Sequence, residues 1–174
     1  MNTYARITGT GSYLPEKVLT NADLETMVET TDEWITTRTG IKERHVVADD
    51  EALVDLVVRA GQAALADAGI EPGEIDLMIL ATATAEQPIP ATSAIVQPRM
   101  GLVNAACFDL SAACSGFTYA LNVGRQFIAT GEAATVLVVG AECLTRYVDW
   151  TDRGTCVLFG DGAGAVVLAA GDPG

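Results

Sequence analysis

The stretch Ala105–Thr130, which reads AACFDLSAACSGFTYALNVGRQFIAT, decides the fold. Its first part, Ala105–Leu110, is mostly apolar on both faces, as in a strand inside a covered sheet. Its last part, Ser115–Thr130, repeats apolar residues at helical spacing and ends before Gly131, a residue suited to closing a helix. Cys114 lies at the turn between the two parts. The stretch therefore predicts a strand–turn–helix unit of an α/β protein.

The alternation continues on both sides of this unit. The other predicted strands are Arg6–Gly9, Ile75–Ala83, Thr135–Ala141 and Ala163–Ala170, and the other long helices are Glu51–Ala68 and Ala91–Met100. Apolar strands that alternate with helices indicate a mostly parallel sheet, here of five strands, covered by helices. Residues 142–160 fit neither period and are predicted to be irregular.

Local signals set several boundaries near the start of the chain. Gly11 and Pro15 predict a turn after the first strand. Thr20 with Asp23 is typical of a capping box and predicts a short helix that runs toward Val28. Thr30 with Glu33 repeats that signature. Together they predict two short helices before the first long one.

Composition restricts the class of protein. A chain of 174 residues predicts one domain with its own core, and a net charge of −13 disfavours nucleic acid as a partner. The apolar runs are too short to span a membrane, so the expected location is the cytoplasm. Four cysteines without a C-x-x-C pair and a single histidine, His45, do not predict a metal site. Free thiols are expected in that compartment.

Cys114 is the candidate nucleophile. At the start of a helix, a thiol meets the positive end of the helix dipole and unpaired backbone N–H groups, which both favour the reactive thiolate. The same N–H groups are able to stabilise the oxyanion of an attacked thioester. Position alone leaves a second interpretation open, because many free cysteines are inert core residues. Cys107, Cys143 and Cys156 are predicted to be core residues.

Six motifs, in this order along the chain, resemble the β-ketoacyl-[acyl-carrier-protein] synthase III family, whose members have a thiolase-like fold. They are Gly9–Pro15 (GTGSYLP), Thr31–Ile35 (TDEWI), Arg38–Ile41 (RTGI), Asp109–Phe117 (DLSAACSGF), Asp152–Thr155 (DRGT) and Phe159–Ala165 (FGDGAGA). The resemblance implies that Cys114 accepts an acyl group from acyl-coenzyme A. The acyl-enzyme would then condense with malonyl-[acyl-carrier protein] after decarboxylation. It implies a homodimer, with coenzyme A thioester as substrate and without a metal or redox cofactor.

The resemblance also implies a binding site for coenzyme A. Trp34 and Arg153 would sandwich the adenine, Arg38 would meet the phosphates, and Thr30 would add a polar contact. An indole and a guanidinium both stack on flat rings, so these residue types suit the task. Without the resemblance, Trp34 is better explained as an anchor beside a helix cap, and the arginines as part of a solvated surface.

The acyl pocket would be lined by Leu144 and Phe159, with Ile89 reaching in from the partner subunit. As apolar residues, all three also suit a core. We hypothesise that a branched aliphatic residue at position 89 admits longer or branched primers.

The family uses a histidine and an asparagine from the second half of its fold. Residues 1–174 correspond to the first half, so the second half is expected as another chain or a missing part. This half alone is expected to be inactive, and His45 is expected to be a surface or loop residue. Two alternatives are a related acyltransferase of a polyketide or quinolone pathway and a non-catalytic partner subunit.

Overall fold

The computed structural model describes residues 4–171, which form two compact units. The sheet unit contains residues 4–13, 52–142 and 163–171, and the small unit contains residues 14–51 and 143–162. No helix in the described part of the chain is both long and apolar enough to cross a membrane.

The described chain contains seven strands and six α-helices. The strands are β1 (Tyr4–Tyr13), β2 (Lys17–Thr20), β3 (Glu43–Val46), β4 (Leu77–Ala81), β5 (Ala106–Leu110), β6 (Thr135–Cys143) and β7 (Asp161–Gly171). The helices are α1 (Asn21–Glu25), α2 (Asp32–Thr39), α3 (Leu53–Ala68), α4 (Thr92–Met100), α5 (Gly116–Thr130) and α6 (Arg153–Cys156).

The sheet unit has a five-stranded sheet in the order β1-β7-β6-β4-β5. Strand β4 pairs in parallel with both β5 and β6, whereas β1 pairs antiparallel with β7. The sheet is therefore mixed, and helices cover it as the strand–helix alternation predicts. Strand β4 is buried along its whole length, which explains its uninterrupted apolar sequence.

Helix α5 lies on the sheet along a narrow row of small residues. Gly116, Ala120, Gly124 and Ile128 are buried, at a spacing of four residues. A Cβ atom at Gly124 would lie only 3.1 Å from Val136 Cγ1, so the helix backbone approaches the sheet closely. Phe127 is apolar but 37% exposed, so the buried row of α5 is narrower than the apolar sequence of the helix indicates.

Strand β1 is longer than predicted. The expected strand ends at Gly9 and the expected turn begins at Gly11, yet β1 continues to Tyr13 and pairs through Gly11 with Ala165. A Cβ atom at Gly11 would overlap the backbone of α3 at Ala60. Gly11 therefore serves a close contact between strand and helix, which a turn rule does not detect.

In the small unit, β2 and β3 form an antiparallel ladder that the sequence analysis did not predict. Both strands have only four residues, too short for a clear alternation. The capping box at Thr20 is confirmed, since its hydroxyl accepts from Asp23 N and the Asp23 carboxylate accepts from Thr20 N. The second cap is one residue later than predicted: Thr31, not Thr30, caps α2.

Candidate active site

Cys114 lies in a tight turn between β5 and α5. The preceding residue, Ala113, has φ +45°, the one positive value among the non-glycine residues of the described chain. Such a backbone costs about 1–3 kcal/mol and persists only where neighbouring structure holds it. Ala113 is the first residue of a single 3-10 turn, Ala113–Ser115, and α5 begins at Gly116. The turn leaves Cys114 exposed at the start of the helix.

Contacts at both ends hold this turn. On the strand side, the Asp109 carboxylate accepts hydrogen bonds from Thr92 N at 2.7 Å and Ser93 N at 2.9 Å. It thereby caps α4 from the end of β5. On the helix side, a Cβ atom at the buried Gly116 would lie 3.3 Å from Ala81 Cβ. The backbone around Cys114 is therefore positioned by the sheet itself.

The other cysteines have different surroundings. Of the four cysteines, all within residues 4–171, Cys114 alone is exposed, whereas Cys143 and Cys156 are buried. Burial raises the pKa of the Cys156 thiol, and the nearby charge of Asp152 acts in the same direction. Cys107 is half-buried, and its thiol donates to Gln97 Oε1 at 3.6 Å. Accessibility thus favours Cys114 as the cysteine that meets a substrate.

In the small unit, Trp34 contacts two arginines. The guanidinium carbon of Arg38 lies 4.5 Å from the centroid of the indole ring, and that of Arg153 lies 4.7 Å from it. Arg153 also donates through Nη1 to the carbonyl of Glu29 at 2.9 Å. Arg38 is one turn beyond Trp34 on α2, and its Nη1 donates to Trp34 O at 3.4 Å.

A shallow pocket of about 170 Å³ lies at this cluster. It is lined by Glu29, Thr30, Thr31, Trp34 and Arg153. The Thr30 hydroxyl is buried and has no hydrogen-bond partner within residues 4–171. A buried hydroxyl without a partner is unfavourable, and a polar ligand atom would satisfy it. The structure therefore brings together the four residues predicted to bind coenzyme A.

The three predicted acyl-pocket residues do not line that pocket. Leu144 is half-buried at the start of a 3-10 turn after β6, and Phe159 is half-buried just before β7. Ile89 is 86% exposed in the loop before α4. Leu144 and Phe159 belong to the small unit, whereas Ile89 and Cys114 belong to the sheet unit.

His45 differs from its expected environment. It is in strand β3 and half-buried, rather than in a surface loop. Its Nδ1 lies 2.5 Å from the carbonyl oxygen of Pro15. That contact gives the ring a structural partner in the small unit.

The sequence analysis missed two buried polar residues that shape the small unit. The Arg44 guanidinium donates to Val157 O and to Asn21 Oδ1, and burial lowers its pKa. Asp161 accepts from Val47 N and Thr145 N, both at 2.9 Å, and from the Thr145 hydroxyl. Val47 and Thr145 line a pocket of about 480 Å³ in the small unit. Asp161 is within a glycine-rich motif, but nothing in that motif indicates these distant partners.

Comparisons with known proteins agree with the fold and the motifs. The sequence profile of the family described as 3-oxoacyl-[acyl-carrier-protein] synthase III matches residues 108–174. The β-ketoacyl-[acyl-carrier-protein] synthase III of Xanthomonas campestris pv. campestris strain 8004 is 59% identical over 167 residues, covering 96% of this chain and 51% of the relative. The chain spans about half the length of the curated relatives it matches.

Solved structures show the same similarity. The 3-oxoacyl-[acyl-carrier-protein] synthase III of Aquifex aeolicus VF5 superposes with a TM-score of 0.94 at 52% identity, covering 98% of this chain and 55% of that one. The priming β-ketosynthase from the R1128 polyketide biosynthetic pathway superposes with a TM-score of 0.96 at 40% identity, covering 99% and 52%.

The mixed sheet covered by helices, with a cysteine at the turn after β5, defines a thiolase-like α/β protein. By sequence and structure, the chain is similar to β-ketoacyl-[acyl-carrier-protein] synthase III proteins, and it spans about half of their length.

Proposed function

We propose that this chain is the amino-terminal half of a condensing enzyme that starts fatty-acid synthesis. In this proposal Cys114 accepts an acyl group from acyl-coenzyme A. The acyl-enzyme then condenses with malonyl-[acyl-carrier protein] to give a β-ketoacyl-[acyl-carrier protein]. The observation that carries the proposal is the exposed Cys114 at the start of α5, within the segment that matches the family profile.

The first step is a transfer between two thioesters. The Cys114 thiolate attacks the acyl carbonyl, a new Sγ–C bond forms, the bond from carbon to the coenzyme A sulfur breaks, and coenzyme A leaves as its thiolate. The positive end of the α5 dipole would stabilise the oxyanion that forms at the attacked carbonyl. This chemistry takes the thioester as substrate and needs no metal or redox cofactor.

The small unit supports the binding of coenzyme A. Trp34, Arg38 and Arg153 offer a flat ring and two cations within one cluster, which suits an adenine that carries phosphates. The buried Thr30 hydroxyl supplies a further polar group there. These cations matter because the chain as a whole carries a net charge of −13, which opposes an anionic ligand.

The proposal includes a homodimer in the cytoplasm, with Leu144 and Phe159 in the acyl pocket and Ile89 contributed by the partner subunit. The 86% exposure of Ile89 is compatible with burial against a second copy. Neither a polyketide or quinolone acyltransferase nor a non-catalytic subunit is favoured, because the curated relatives at 56–59% identity are synthase III enzymes.

Intact-protein mass spectrometry before and after addition of acetyl-coenzyme A tests the proposal on the full protein. We expect a gain of one acetyl group that C114A loses. C107A is the matched control, because Cys107 precedes the same turn but is half-buried, and it should keep the gain. Acetylation that survives in C114A, or no acetylation of a folded full protein, would contradict the proposal.

A further inference from the structure

The space between Trp34 and Arg153 is too narrow for an adenine ring. An adenine between Trp34 and Arg153 needs a contact of about 3.5 Å on each of its faces, and therefore a separation of about 7 Å. The Arg153 guanidinium carbon lies 4.7 Å from the indole centroid. The gap is too small for a flat ring by about 2 Å, because Arg153 itself occupies the stacking position.

We infer that Arg153 is a gate as well as a stacking partner: it covers Trp34 until the nucleotide displaces it. The inference rests on the proposed function, since it assumes that this cluster binds the nucleotide of coenzyme A. Two contacts hold the gate closed, the cation–π contact with Trp34 and the hydrogen bond from Nη1 to Glu29 O.

Only the side chain of Arg153 has to move. Its backbone is held in α6 by Asp152, whose carboxylate accepts from Gly154 N at 2.8 Å and from the Thr155 hydroxyl at 2.7 Å. Arg153 is exposed, so its side chain can rotate into solvent on a timescale of picoseconds to nanoseconds. Opening is therefore a rapid equilibrium, and the nucleotide binds only the open fraction.

The pocket itself indicates that a ligand completes it. The Thr30 hydroxyl lines the same pocket and has no partner within residues 4–171 while Arg153 is closed. A nucleotide that replaces Arg153 on the indole would bring polar atoms next to this hydroxyl. Ligand binding then exchanges the two contacts of the gate for a stacked adenine and a satisfied hydroxyl.

A gate and a simple stacking partner differ in binding kinetics. If Arg153 only stacks on bound adenine, its removal raises the dissociation rate and leaves the association rate unchanged. If it also covers Trp34, its removal raises the association rate as well, by about three- to tenfold for an open fraction of a tenth to a third. Loss of a positive charge alone would slow the association of an anion, which is the opposite direction.

The test is stopped-flow fluorescence of the full protein with adenosine 3′,5′-bisphosphate, in enough salt to screen the charge change. The signal used is the part of the fluorescence change on binding that is absent in W34F. We expect R153A to raise both rate constants. The matched controls are R38A, which removes the other guanidinium on the same indole, and R146A, which removes an exposed cation elsewhere in the small unit. Neither should raise the association rate.

Side-chain NMR of the ligand-free protein measures the closed state directly. Arg153 side-chain protons should be shifted upfield by the indole ring current, and W34L should remove the shift. Unshifted Arg153 protons, or an R153A association rate equal to wild type with nucleotide still bound, would overturn the gate and leave the proposed function standing. No nucleotide binding by either wild type or R153A would overturn both.

Discussion

The two units of the chain are stabilised in different ways. The sheet unit is held by apolar packing and by close backbone contacts at glycines such as Gly11 and Gly124. The small unit has a smaller apolar cluster around Leu24 and Ile35, beside buried polar residues such as Arg44. The difference shows that one part of a chain can be stabilised mainly by close packing and another part mainly by buried hydrogen bonds. This comparison is tested by substitutions that disturb either a close packing contact or a buried hydrogen bond, one at a time.

The largest effect is expected from Gly11→Ala in the sheet unit. The added methyl overlaps the backbone of α3 at Ala60 and Ala64, which cannot rotate away as a side chain can. We expect a loss of about 3–5 kcal/mol in the free energy of unfolding, measured by urea titration. Gly164→Ala on β7 is the control, since its Cβ would meet nothing within 4 Å. A midpoint for G11A equal to that of G164A would refute backbone contact as the source of stability.

The next effect is expected from Arg44→Met in the small unit. The substitution leaves Val157 O and Asn21 Oδ1 without their buried donor. We expect a loss of about 2–4 kcal/mol, since each buried unpaired acceptor costs about 1–3 kcal/mol. Hydrogen exchange should quicken in the amides of β2 and β3, with β4 unchanged. The exposed Arg125→Met is the control, and equal exchange in the two variants would contradict the role of Arg44.

A smaller effect is expected from Asp161→Asn. An amide retains only one acceptor oxygen, so it cannot accept from both Val47 N on one side and Thr145 N on the other. We expect a loss of about 1–3 kcal/mol. The Thr145 amide should lose protection from exchange more than the β5 amides do. Unchanged protection at Val47 and Thr145 would show that the carboxylate does not hold these segments.

The smallest expected effect concerns the pH dependence of stability, to which Asp32 in the small unit contributes. Hydrogen bonds from Asn21 and then Thr36 lower the pKa of Asp32 below its ordinary value of about 3.9. Its stabilising contribution is therefore complete above the ordinary pKa and is lost as the pH falls through the lower pKa of the folded state. We expect the free energy of unfolding of D32N to fall less at acid pH than that of the wild type. E132Q, on an exposed loop, should leave this pH dependence unchanged. An unchanged pH dependence in D32N would contradict the assignment.

Sequence patterns predict the sheet unit better than the small unit, for a physical reason. Strands such as β4 and helices such as α3 repeat apolar residues with a fixed period, and that period is visible without any distant partner. The contacts of the small unit lack a period: Arg44 bonds to Val157, 113 positions away, and Asp161 bonds to Val47, 114 positions away. Short polar strands such as β3 therefore escaped prediction.

The candidate site divides in the same way. The position of Cys114 follows from a strand that ends and a helix that begins nearby, so its place at a helix start was predictable. The clustering of Trp34 with Arg153 was expected only from the resemblance, because these residues are far apart in sequence. The closed position of Arg153 depends on the Glu29 carbonyl, a backbone group that is present whatever residue is at position 29. The role of Cys114 in catalysis and the roles of Trp34 and Arg153 in binding stay predictions.

The carboxylate of Asp109 has a consequence for the order of folding. Helix α4 receives the acceptor for its first amides from the end of β5, a strand that follows it in the chain. A nascent α4 lacks that cap until β5 has paired with β4, which brings Asp109 into reach. We therefore expect β4, α4 and β5 to condense in one cooperative step of the folding reaction, with the turn that bears Cys114 formed as its last, dependent part.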